Sequence, residues 1–341
     1  MRLATYNIEW FTSLFDDKNQ LLEDGEWSAR FDVTRGQQIA ALGTVFQAMD
    51  ADAVMVIEAP DSNKRRSTVQ SLENFAERFG LRTSHAAMGF ANETQQEIAL
   101  LYDPAKLTVH HDPQGAFSGP EGASGAPRFD GALRIDLDID ATEDLVVFSK
   151  PPLELAVEAT SGFAFRMIGA HLKSKAPHGA TTPAEIMSRQ VANRRKQLAQ
   201  AIWLRARIEE HLSQGTPLIV MGDLNDGPGL DEFESLFGRS SVEIVMGHGL
   251  DNALFDPHAR QALSRKLGAM PTSARFWIRP EKRFLQALLD YIMVSEPVRA
   301  RAPVWRIWHP LDDPDCWRAP DLRDALVTAS DHFPVTLDFD A

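Results

Sequence analysis

The segment from Pro217 to Gly229 constrains the fold more strongly than any other part of the chain. It opens with four consecutive apolar residues, Leu218 to Met221, directly after a turn signal. A short apolar run of this kind is typical of a strand that is buried on both faces. Gly222 then allows the backbone to bend, and Asp223 and Asn225 follow two residues apart. The pattern predicts a rigid, buried strand that ends in two polar side chains.

The spacing of Asp223 and Asn225 places both side chains on one side of an extended segment. A carboxylate and a carboxamide held together at a strand end suit a divalent cation or a phosphate group that must be fixed in place. The alternative is an Asx-turn, in which the side chains bond to their own backbone and only close the strand. The segment alone leaves both interpretations open.

Polar side chains also follow or interrupt other apolar runs. Glu58 comes directly after the run Ala53 to Ile57, and Asp290 lies within the run Leu288 to Val294, which is predicted as a strand. A carboxylate at the tip of a buried strand is unfavourable unless a salt bridge or a metal ion compensates for it. Strand ends of one pair of sheets can converge on a single crevice, so these residues are candidates for one site. The candidates are Asn7, Glu9, Glu58, His171, Asp223, Asn225, Asp290, Asp331 and His332.

Apolar stripes with helical spacing separate some of the predicted strands but not all of them. Helices are predicted from Gln38 to Met49, Thr68 to Phe79, Pro183 to His211 and Leu230 to Phe237. Several strands follow one another without a helix between them, which argues against a purely parallel sheet. The pattern favours an α/β (α+β) fold in which two mixed β-sheets pack face to face with helices on the outside. No linker divides the chain, so residues 1–341 are predicted to form a single domain.

The composition restricts the partners and the compartment. Lys+Arg 35 and Asp+Glu 48 give a net charge of −13, and an acidic surface repels nucleic acid and membranes unless local basic patches or bound cations offset it. The single cysteine, Cys316, excludes an internal disulfide and is compatible with a reducing compartment. No signal peptide is visible, and no apolar stretch approaches the roughly 20 residues of a membrane span. A cytoplasmic location without membrane contact is expected, and secretion by another route stays open.

The polar strand ends carry motifs that resemble those of the endonuclease/exonuclease/phosphatase superfamily, the DNase I-like metal-dependent phosphoesterases. The motifs occur in the order of the family and span nearly the whole chain. The resemblance implies a four-layer sandwich of two mixed β-sheets with helices outside, in agreement with the strand pattern. The matching segments are Thr5-Tyr6-Asn7-Ile8-Glu9-Trp10, Val56-Ile57-Glu58, Ala170-His171-Leu172, Gly222-Asp223-Leu224-Asn225, Leu289-Asp290-Tyr291-Ile292 and Ser330-Asp331-His332-Phe333-Pro334.

The resemblance also implies roles for individual residues. Glu58 matches the principal metal ligand of the family, and Glu9 and Asp331 match its neighbours in the metal site. Asp290 matches the residue that orients His332. The implied ion is Mg²⁺ or Mn²⁺, because a hard cation that binds mostly oxygen ligands offsets the charge of a phosphodiester.

Further matches concern the phosphate and the leaving group. Asn7, Asp223 and Asn225 match residues that orient the phosphate and the nucleophile or help to hold a second cation. His171 matches a histidine on the leaving-group side, where some relatives carry tyrosine. Glu97 lies near the position of the carboxylate that pairs with this histidine in the family.

Basic residues supply candidate contacts to the substrate. Lys150, in Lys150-Pro151-Pro152-Leu153, resembles a basic-proline segment that contacts phosphate in some members. Lys173 follows His171 and Arg279 precedes Asp290, so the resemblance places both on the rim of the crevice. A polynucleotide would use such a rim, because each phosphate beyond the scissile one attracts a nearby cation.

These features lead to one expected function and two alternatives. The expected function is a metal-dependent hydrolase of phosphodiesters, a nuclease, because the segment His171-Leu172-Lys173-Ser174-Lys175 resembles bacterial nuclease-type members most. The first alternative is a phosphatase or phosphodiesterase that acts on a small-molecule or lipid phosphate, since one fold serves many substrates. The second is a non-catalytic binding module. A nucleic acid partner is expected, and no obligate protein partner is evident.

Overall fold

Continuous apolar runs of the sequence form the central strands of two mixed β-sheets. The computed structural model describes residues 1–137, 143–177, 179–228, 238–264, 270–278 and 282–341. The predicted helix Leu230 to Phe237 and the predicted substrate-binding residue Arg279 lie outside the described residues. In chain order the strands are β1 (Arg2–Asn7), β2 (Ala53–Ala59), β3 (His85–Met88), β4 (Glu97–Tyr102), β5 (Leu107–His111), β6 (Leu133–Ile135), β7 (Asp144–Val146), β8 (Leu153–Ala159), β9 (Ala164–His171), β10 (Leu218–Asp223), β11 (Ala274–Ile278), β12 (Arg283–Ala287), β13 (Asp290–Val294), β14 (Val304–Ile307) and β15 (Val335–Asp338).

The two large sheets combine parallel and antiparallel neighbours. The first has six strands in the order β14-β15-β1-β2-β4-β3, and the second has five in the order β13-β10-β9-β8-β5. Within them, β1 is parallel to β2 and β9 is parallel to β10, whereas the other neighbours are antiparallel. Two smaller pairs, β6-β7 and β11-β12, lie outside these sheets. The first sheet therefore joins strands from both ends of the chain, and the second is built from its middle.

Alternate residues of the central strands face different layers of the core. In β10, Ile219 and Met221 pack between the two sheets, whereas Leu218 and Val220 pack on the outer face. Burial on both faces explains why this run contains only apolar residues. Helical residues cover the outer face of each sheet, which gives four layers. The predicted arrangement of two face-to-face mixed sheets with external helices is confirmed.

The helices begin where the sequence offers capping residues. Thr34 and Gln37 form a capping box at the first helix, and Thr182 and Glu185 form another at the longest helix, which has Pro183 in its first turn. The helices are α1 (Arg35–Met49), α2 (Thr68–Phe79), α3 (Pro183–Ser213), α4 (Ser241–Met246), α5 (Pro257–Leu263), α6 (Glu296–Arg299), α7 (Pro314–Arg318) and α8 (Pro320–Ala329), and a short 3₁₀ helix spans Phe11–Leu14.

One predicted strand begins later than expected. The run Leu288 to Val294 was predicted as a strand with Asp290 in its middle, but β13 begins at Asp290. The main-chain N–H groups of Leu289 and Asp290 both donate to Ser273 Oγ, at 3.0 and 2.9 Å. The chain is therefore held by a side chain at this point, and the carboxylate lies at the strand end instead of inside the strand.

No helix among the described residues combines the length and the apolar character that a membrane crossing needs.

Candidate active site

Asp223 ends β10 and is buried at the centre of the candidate site. Its Oδ1 accepts the main-chain N–H of Asn225 at 2.7 Å, and its Oδ2 accepts side-chain N–H groups of Asn7 at 2.9 Å and Asn225 at 3.2 Å. Burial raises the pKa of Asp223 to about 6, and the His332 charge opposes this rise. The carboxylate is thus held in one orientation with a pKa close to neutral pH, as a general base requires.

The bond from the Asn225 main chain to Asp223 is the Asx-turn that the sequence offered as an alternative to a functional site. The structure shows that the turn and the convergence of polar groups occur together. Asn225 has a φ of 51°, in the left-handed region, and its side-chain amide also donates to the carbonyl of Leu172 at 3.1 Å. Both amide hydrogens are used within the protein, so this side chain is placed to orient Asp223.

Gly222 brings β10 unusually close to β9. Its φ is 133°, and a Cβ atom at this position would lie 2.0 Å from the carbonyl oxygen of Ala170. Glycine is required here both for the backbone conformation and for the close approach. The consequence is the pairing of Asp223 with His171 across the two parallel strands.

His332 and Asp290 form a buried pair. His332 Nδ1 donates to Asp290 Oδ2 at 2.8 Å, and Ser273 Oγ donates to the same oxygen at 2.8 Å. Burial alone would lower the pKa of His332, but Asp290, Asp223 and Asp331 outweigh it and raise the pKa well above the ordinary value. The imidazole is therefore a cation at neutral pH, with Nε2–H available as a donor.

His171 has the opposite character. Burial, Lys150, His332 and Lys173 together hold the pKa of His171 well below its ordinary value. Lys150 Nζ lies 3.2 Å from Nδ1 and 3.4 Å from Nε2 of His171, and Nε2 lies 3.6 Å from Asp223 Oδ2. The lowered pKa favours a neutral imidazole whose Nε2 faces Asp223.

Glu58 lies at a β-bulge in β2. The register with β4 shifts between Ile57 and Ala59, and Glu58 has a φ of 61°, in the left-handed region. A non-glycine residue in this conformation costs about 1–3 kcal/mol, and such strain is often found at functional sites. Burial raises the pKa of Glu58 to about 7, and the charge of Lys150 only partly offsets it. Among the described residues, no lysine or arginine forms a salt bridge with Glu58, and His171 Nε2 lies 4.0 Å from its Oε1.

Glu9 and Asp331 lie on the same side of the site. The pKa of Glu9 rises to about 7 because the residue is buried and because Asp331 is close, and Arg30 opposes the rise. Arg30 forms a salt bridge with Glu9. Asp331 raises the pKa of Glu58 as well. The three carboxylates predicted as metal ligands therefore share one region in which their charges repel.

The residues present fit a hard divalent cation. Glu58 and Glu9 carry raised pKa values, which a cation would lower by pairing with the charged form. Asn7 Oδ1 is buried and has no hydrogen-bond donor among the described residues. Carboxylate and carboxamide oxygens are the ligands that such ions prefer. Glu58, Glu9, Asp331 and the Asn7 oxygen would hold the ion.

Among the described residues, the group whose ligand atoms lie close enough for a metal site contains none of Glu58, Glu9 and Asp331. Ligand atoms of Asp223, Asp290 and His332 lie within 4.8 Å of one another. His332 Nδ1 is already bonded to Asp290, however, and the imidazole carries a raised pKa. The raised pKa favours the protonated imidazole, and a protonated imidazole does not bind a cation.

Three further residues were predicted to contact His171 or the substrate: Glu97, Lys173 and Arg279. The carboxylate of Glu97 accepts the main-chain and side-chain N–H groups of Asn92, so the expected pair with His171 is not among the contacts of the described residues. Lys173 lies close enough to His171 and Lys150 to lower the pKa of both. Arg279 lies outside the described residues.

Several supporting residues were not expected from the sequence. Ser330 Oγ donates to the carbonyl of Asn7 at 2.8 Å and accepts the N–H of Glu9 at 3.1 Å. Because Ser330 directly precedes Asp331, the sequence could have indicated that it lies near the site. Ser273 and Arg30 had no such signal. They come from loops that are distant in sequence from the residues they hold.

The comparisons with known proteins concern the family and the fold of the chain. A family model described as the endonuclease/exonuclease/phosphatase family matches residues 4–332. A comparison with curated proteins finds no match. The solved structure of TDP2 from Caenorhabditis elegans is 14% identical, with a TM-score of 0.50, and the similarity covers 100% of this chain and 75% of that one. A mannosyl-6-phosphatase from Bacteroides thetaiotaomicron is 15% identical, with a TM-score of 0.50 and 100% of both chains covered.

The two structural likenesses show the fold alone, because both identities are low. The family model carries more weight because it spans nearly all of the strands that supply the site. Members of this family typically use divalent metal ions, in agreement with the carboxylates found here. The chain belongs to the endonuclease/exonuclease/phosphatase family and is a hydrolase of phosphoric esters.

Proposed function

We propose that the chain is a Mg²⁺- or Mn²⁺-dependent phosphodiesterase that cleaves nucleic acid. The observation that carries this proposal is the hairpin β11-β12, which leaves the site directly beside Asp290 and His332. Ala274 of β11 bridges to His332, and the N–H of Arg275 donates to the carbonyl of Asp331 at 2.7 Å. The hairpin is therefore attached to the residues that contact the reacting phosphate in this proposal.

One face of the hairpin presents aromatic rings to solvent. Trp277 and Phe284 are directly opposite each other, with ring centroids 5.0 Å apart, and they are 49% and 48% exposed. The Arg275 guanidinium lies 3.9 Å from the centroid of Phe284. Half-exposed aromatic rings next to a cation form a surface on which nucleobases stack. A phosphomonoester of a small molecule would not need this surface.

Cations inside the site extend the same surface toward the centre. Lys150 is partly buried against His171, and Lys173 follows it on the rim. Lys282 directly precedes β12 in the hairpin. In this proposal these positive charges attract the phosphates on either side of the scissile bond and offset locally the net charge of −13.

The chemistry follows from the protonation states of the site. Asp223 removes a proton from the attacking water, and Asn7 and Asn225 fix the direction in which the carboxylate points. His332 donates Nε2–H to a phosphoryl oxygen and offsets the negative charge that develops there. His171 Nε2 lies 3.6 Å from Asp223 Oδ2, on the side of the attacking water, so the departing alkoxide takes its proton from solvent water. When bound, the divalent cation supplies further charge neutralisation at the phosphate.

A small phosphate ester is the second candidate substrate. The acidic balance of the chain, with a net charge of −13, favours it because a polyanion is repelled at long range. The two candidate substrates would contact different parts of the protein. A small ester occupies only the centre of the site, whereas a polynucleotide also contacts the hairpin and the rim.

The proposal is tested by hydrolysis of a substrate panel with Mg²⁺, with Mn²⁺ and with EDTA. The panel contains single-stranded DNA, duplex DNA, RNA, sugar phosphates and a small chromogenic phosphodiester. We expect single-stranded nucleic acid to have the highest kcat/KM, and EDTA to abolish its cleavage. A higher kcat/KM for a sugar phosphate than for every nucleic acid would reject the nuclease proposal in favour of the second candidate.

The contribution of the hairpin is tested by Trp277→Ala. We expect KM for single-stranded DNA to rise by about tenfold, because one stacked base contributes roughly 1–3 kcal/mol. The small chromogenic phosphodiester should be cleaved at the parent rate, since it does not reach the hairpin. The matched control is Trp317→Ala, which removes a tryptophan that is 52% exposed on α7. Equal KM values in the two variants would exclude the hairpin from substrate binding.

A further inference from the structure

The helix α3 contributes a buried polar cluster directly behind the candidate site. Arg194 donates to Asp226 Oδ2 at 2.6 Å and to Gln197 Oε1 at 2.8 Å. Lys175 donates to Asp226 Oδ1 at 2.7 Å, and the main-chain N–H of Ser241 donates to Oδ2 at 2.6 Å. Arg194, Gln197 and Asp226 are each at most 1% exposed. Arg194, Gln197 and Asp226 had no role in the sequence motifs or in the chemistry proposed above.

Gln197 links the two segments that follow β9 and β10. Its Nε2 donates to the carbonyl of Lys173 at 2.9 Å and to the carbonyl of Asn225 at 2.9 Å. The bond from Arg194 to its Oε1 fixes which end of the amide faces these carbonyls. Gln197 therefore joins the segment that carries Lys173 to the turn that carries Asn225, in addition to the bond from the Asn225 side chain to the carbonyl of Leu172.

The turn held by Gln197 is the one that orients Asp223. The N–H of Asn225 donates to Asp223 Oδ1, while the carbonyl of the same residue accepts from Gln197. Asn225 adopts a left-handed conformation with a φ of 51°, which a non-glycine residue keeps only when its surroundings hold it. Without the bond to its carbonyl, the turn can relax, and the N–H then moves away from Asp223.

We propose that Gln197 is a positioning residue for hydrolysis, which acts through the Asn225 turn on the orientation of the Asp223 carboxylate. The inference rests on the role proposed above for Asp223. It differs from a purely structural role, because the amide contacts main-chain atoms of two segments that supply the site. A small displacement of a catalytic group lowers the rate without a matching loss of substrate affinity.

The variant Gln197→Met keeps the size of the side chain and removes both donors. With the small chromogenic phosphodiester, we expect kcat to fall by about 10- to 100-fold, as a displaced catalytic group would cause. We expect KM to stay within about threefold of the parent value, because ground-state binding is retained.

Gln197→Glu is the second variant. It keeps the acceptor for Arg194, which protects the fold, and it places an oxygen against the two carbonyls, so we expect the same loss of kcat.

Ser295→Ala is the matched structural control. Ser295 is 1% exposed, and its Oγ accepts the N–H of Leu218 at 2.8 Å, at the opposite end of β10 from Asp223. Its Tm is measured together with those of the Gln197 variants. We expect Ser295→Ala to lower Tm about as much as the Gln197 variants do and to keep the parental kcat. An equal fall in kcat for Ser295→Ala and Gln197→Met would overturn the inference, since any buried defect in β10 would then suffice.

A double-mutant cycle with Asp223→Asn separates this inference from the proposed mechanism. If Gln197 acts through Asp223, then Gln197→Met should cause little further loss of kcat in the Asp223→Asn background. Fully additive losses would overturn the positioning role and leave the role of Asp223 intact. Parental kcat in Asp223→Asn alone would overturn the proposed role of Asp223 and the inference together.

Discussion

Replacing Asp290 by asparagine is expected to lower kcat by about 10²- to 10³-fold, with a much smaller change in KM, because the lost interaction acts in the transition state. Asparagine keeps the size of the side chain but removes the charge that raises the pKa of His332. His332→Ala should cause a loss of similar size. The double variant should be little worse than either single one, because both changes remove the same imidazolium.

The pH profile provides a second measure of the same pair. In the parent enzyme, the protonated imidazole is lost only when the pH rises through the raised pKa of His332. Asp290→Asn lowers that pKa, so the fall in kcat on the alkaline side should move to lower pH. Ser273→Ala serves as a milder control, since it removes one donor to Asp290 and keeps the charge. Additive losses in the double variant, together with an unmoved alkaline limb, would show that the two residues act separately.

Glu58→Gln is expected to weaken Mg²⁺ binding and to lower kcat/KM by about 10²-fold or more, because a charged ligand of the cation is lost while the size of the side chain is kept. The fold should survive. The buried carboxylate is an unfavourable charge when no metal is bound, so its removal relieves repulsion from Asp331 and Asp223. Titration calorimetry with Mg²⁺ measures the first effect. Normal Mg²⁺ affinity in Glu58→Gln would remove Glu58 from the metal site.

The stability of the metal-free protein should also depend on Glu58 and pH in a defined direction. The folded-state pKa is about 7, above the ordinary value of 4.5. Between these values the unfolded chain loses the proton and the folded chain keeps it, so stability falls as the pH rises. The full cost, about 3 kcal/mol, is reached above pH 7. Thermal denaturation in EDTA should therefore show a smaller loss of Tm from pH 5 to pH 8 in Glu58→Gln than in the parent. Identical slopes would contradict the raised pKa.

The central strands could be predicted from the sequence because burial on both faces requires an unbroken apolar run. The runs Leu218 to Met221 and Ala53 to Ile57 are of this kind, and both are confirmed as the cores of strands. The strand His85–Met88 was not predicted, because it is short and only partly buried at the sheet edge. Such a strand forms through pairing with β4, which local sequence does not reveal.

The residues of the candidate site could be named from motifs, but their partners could not. Asp223, Asn225 and His332 stand in recognisable segments at strand ends. Arg30 contacts Glu9, Ser273 contacts Asp290 and Gln197 contacts Asn225, at separations of 21, 17 and 28 residues, and each contact depends on how the layers pack. The conformation of Glu58 was also hidden, because a bulge in β2 depends on the register with β4.

The pairing of β1 with β15 has a consequence for the synthesis of the protein. The ribosome makes Asn7, at the end of β1, long before it makes His332, shortly before β15, yet both belong to one candidate site. The second sheet, which carries Asp223, His171 and Asp290, can assemble on the ribosome from the middle of the chain. The first sheet has to wait for β14 and β15. In the mechanism that we propose, a nascent chain therefore holds the proton acceptor before it holds the imidazolium, and hydrolysis begins only after β15 has joined β1.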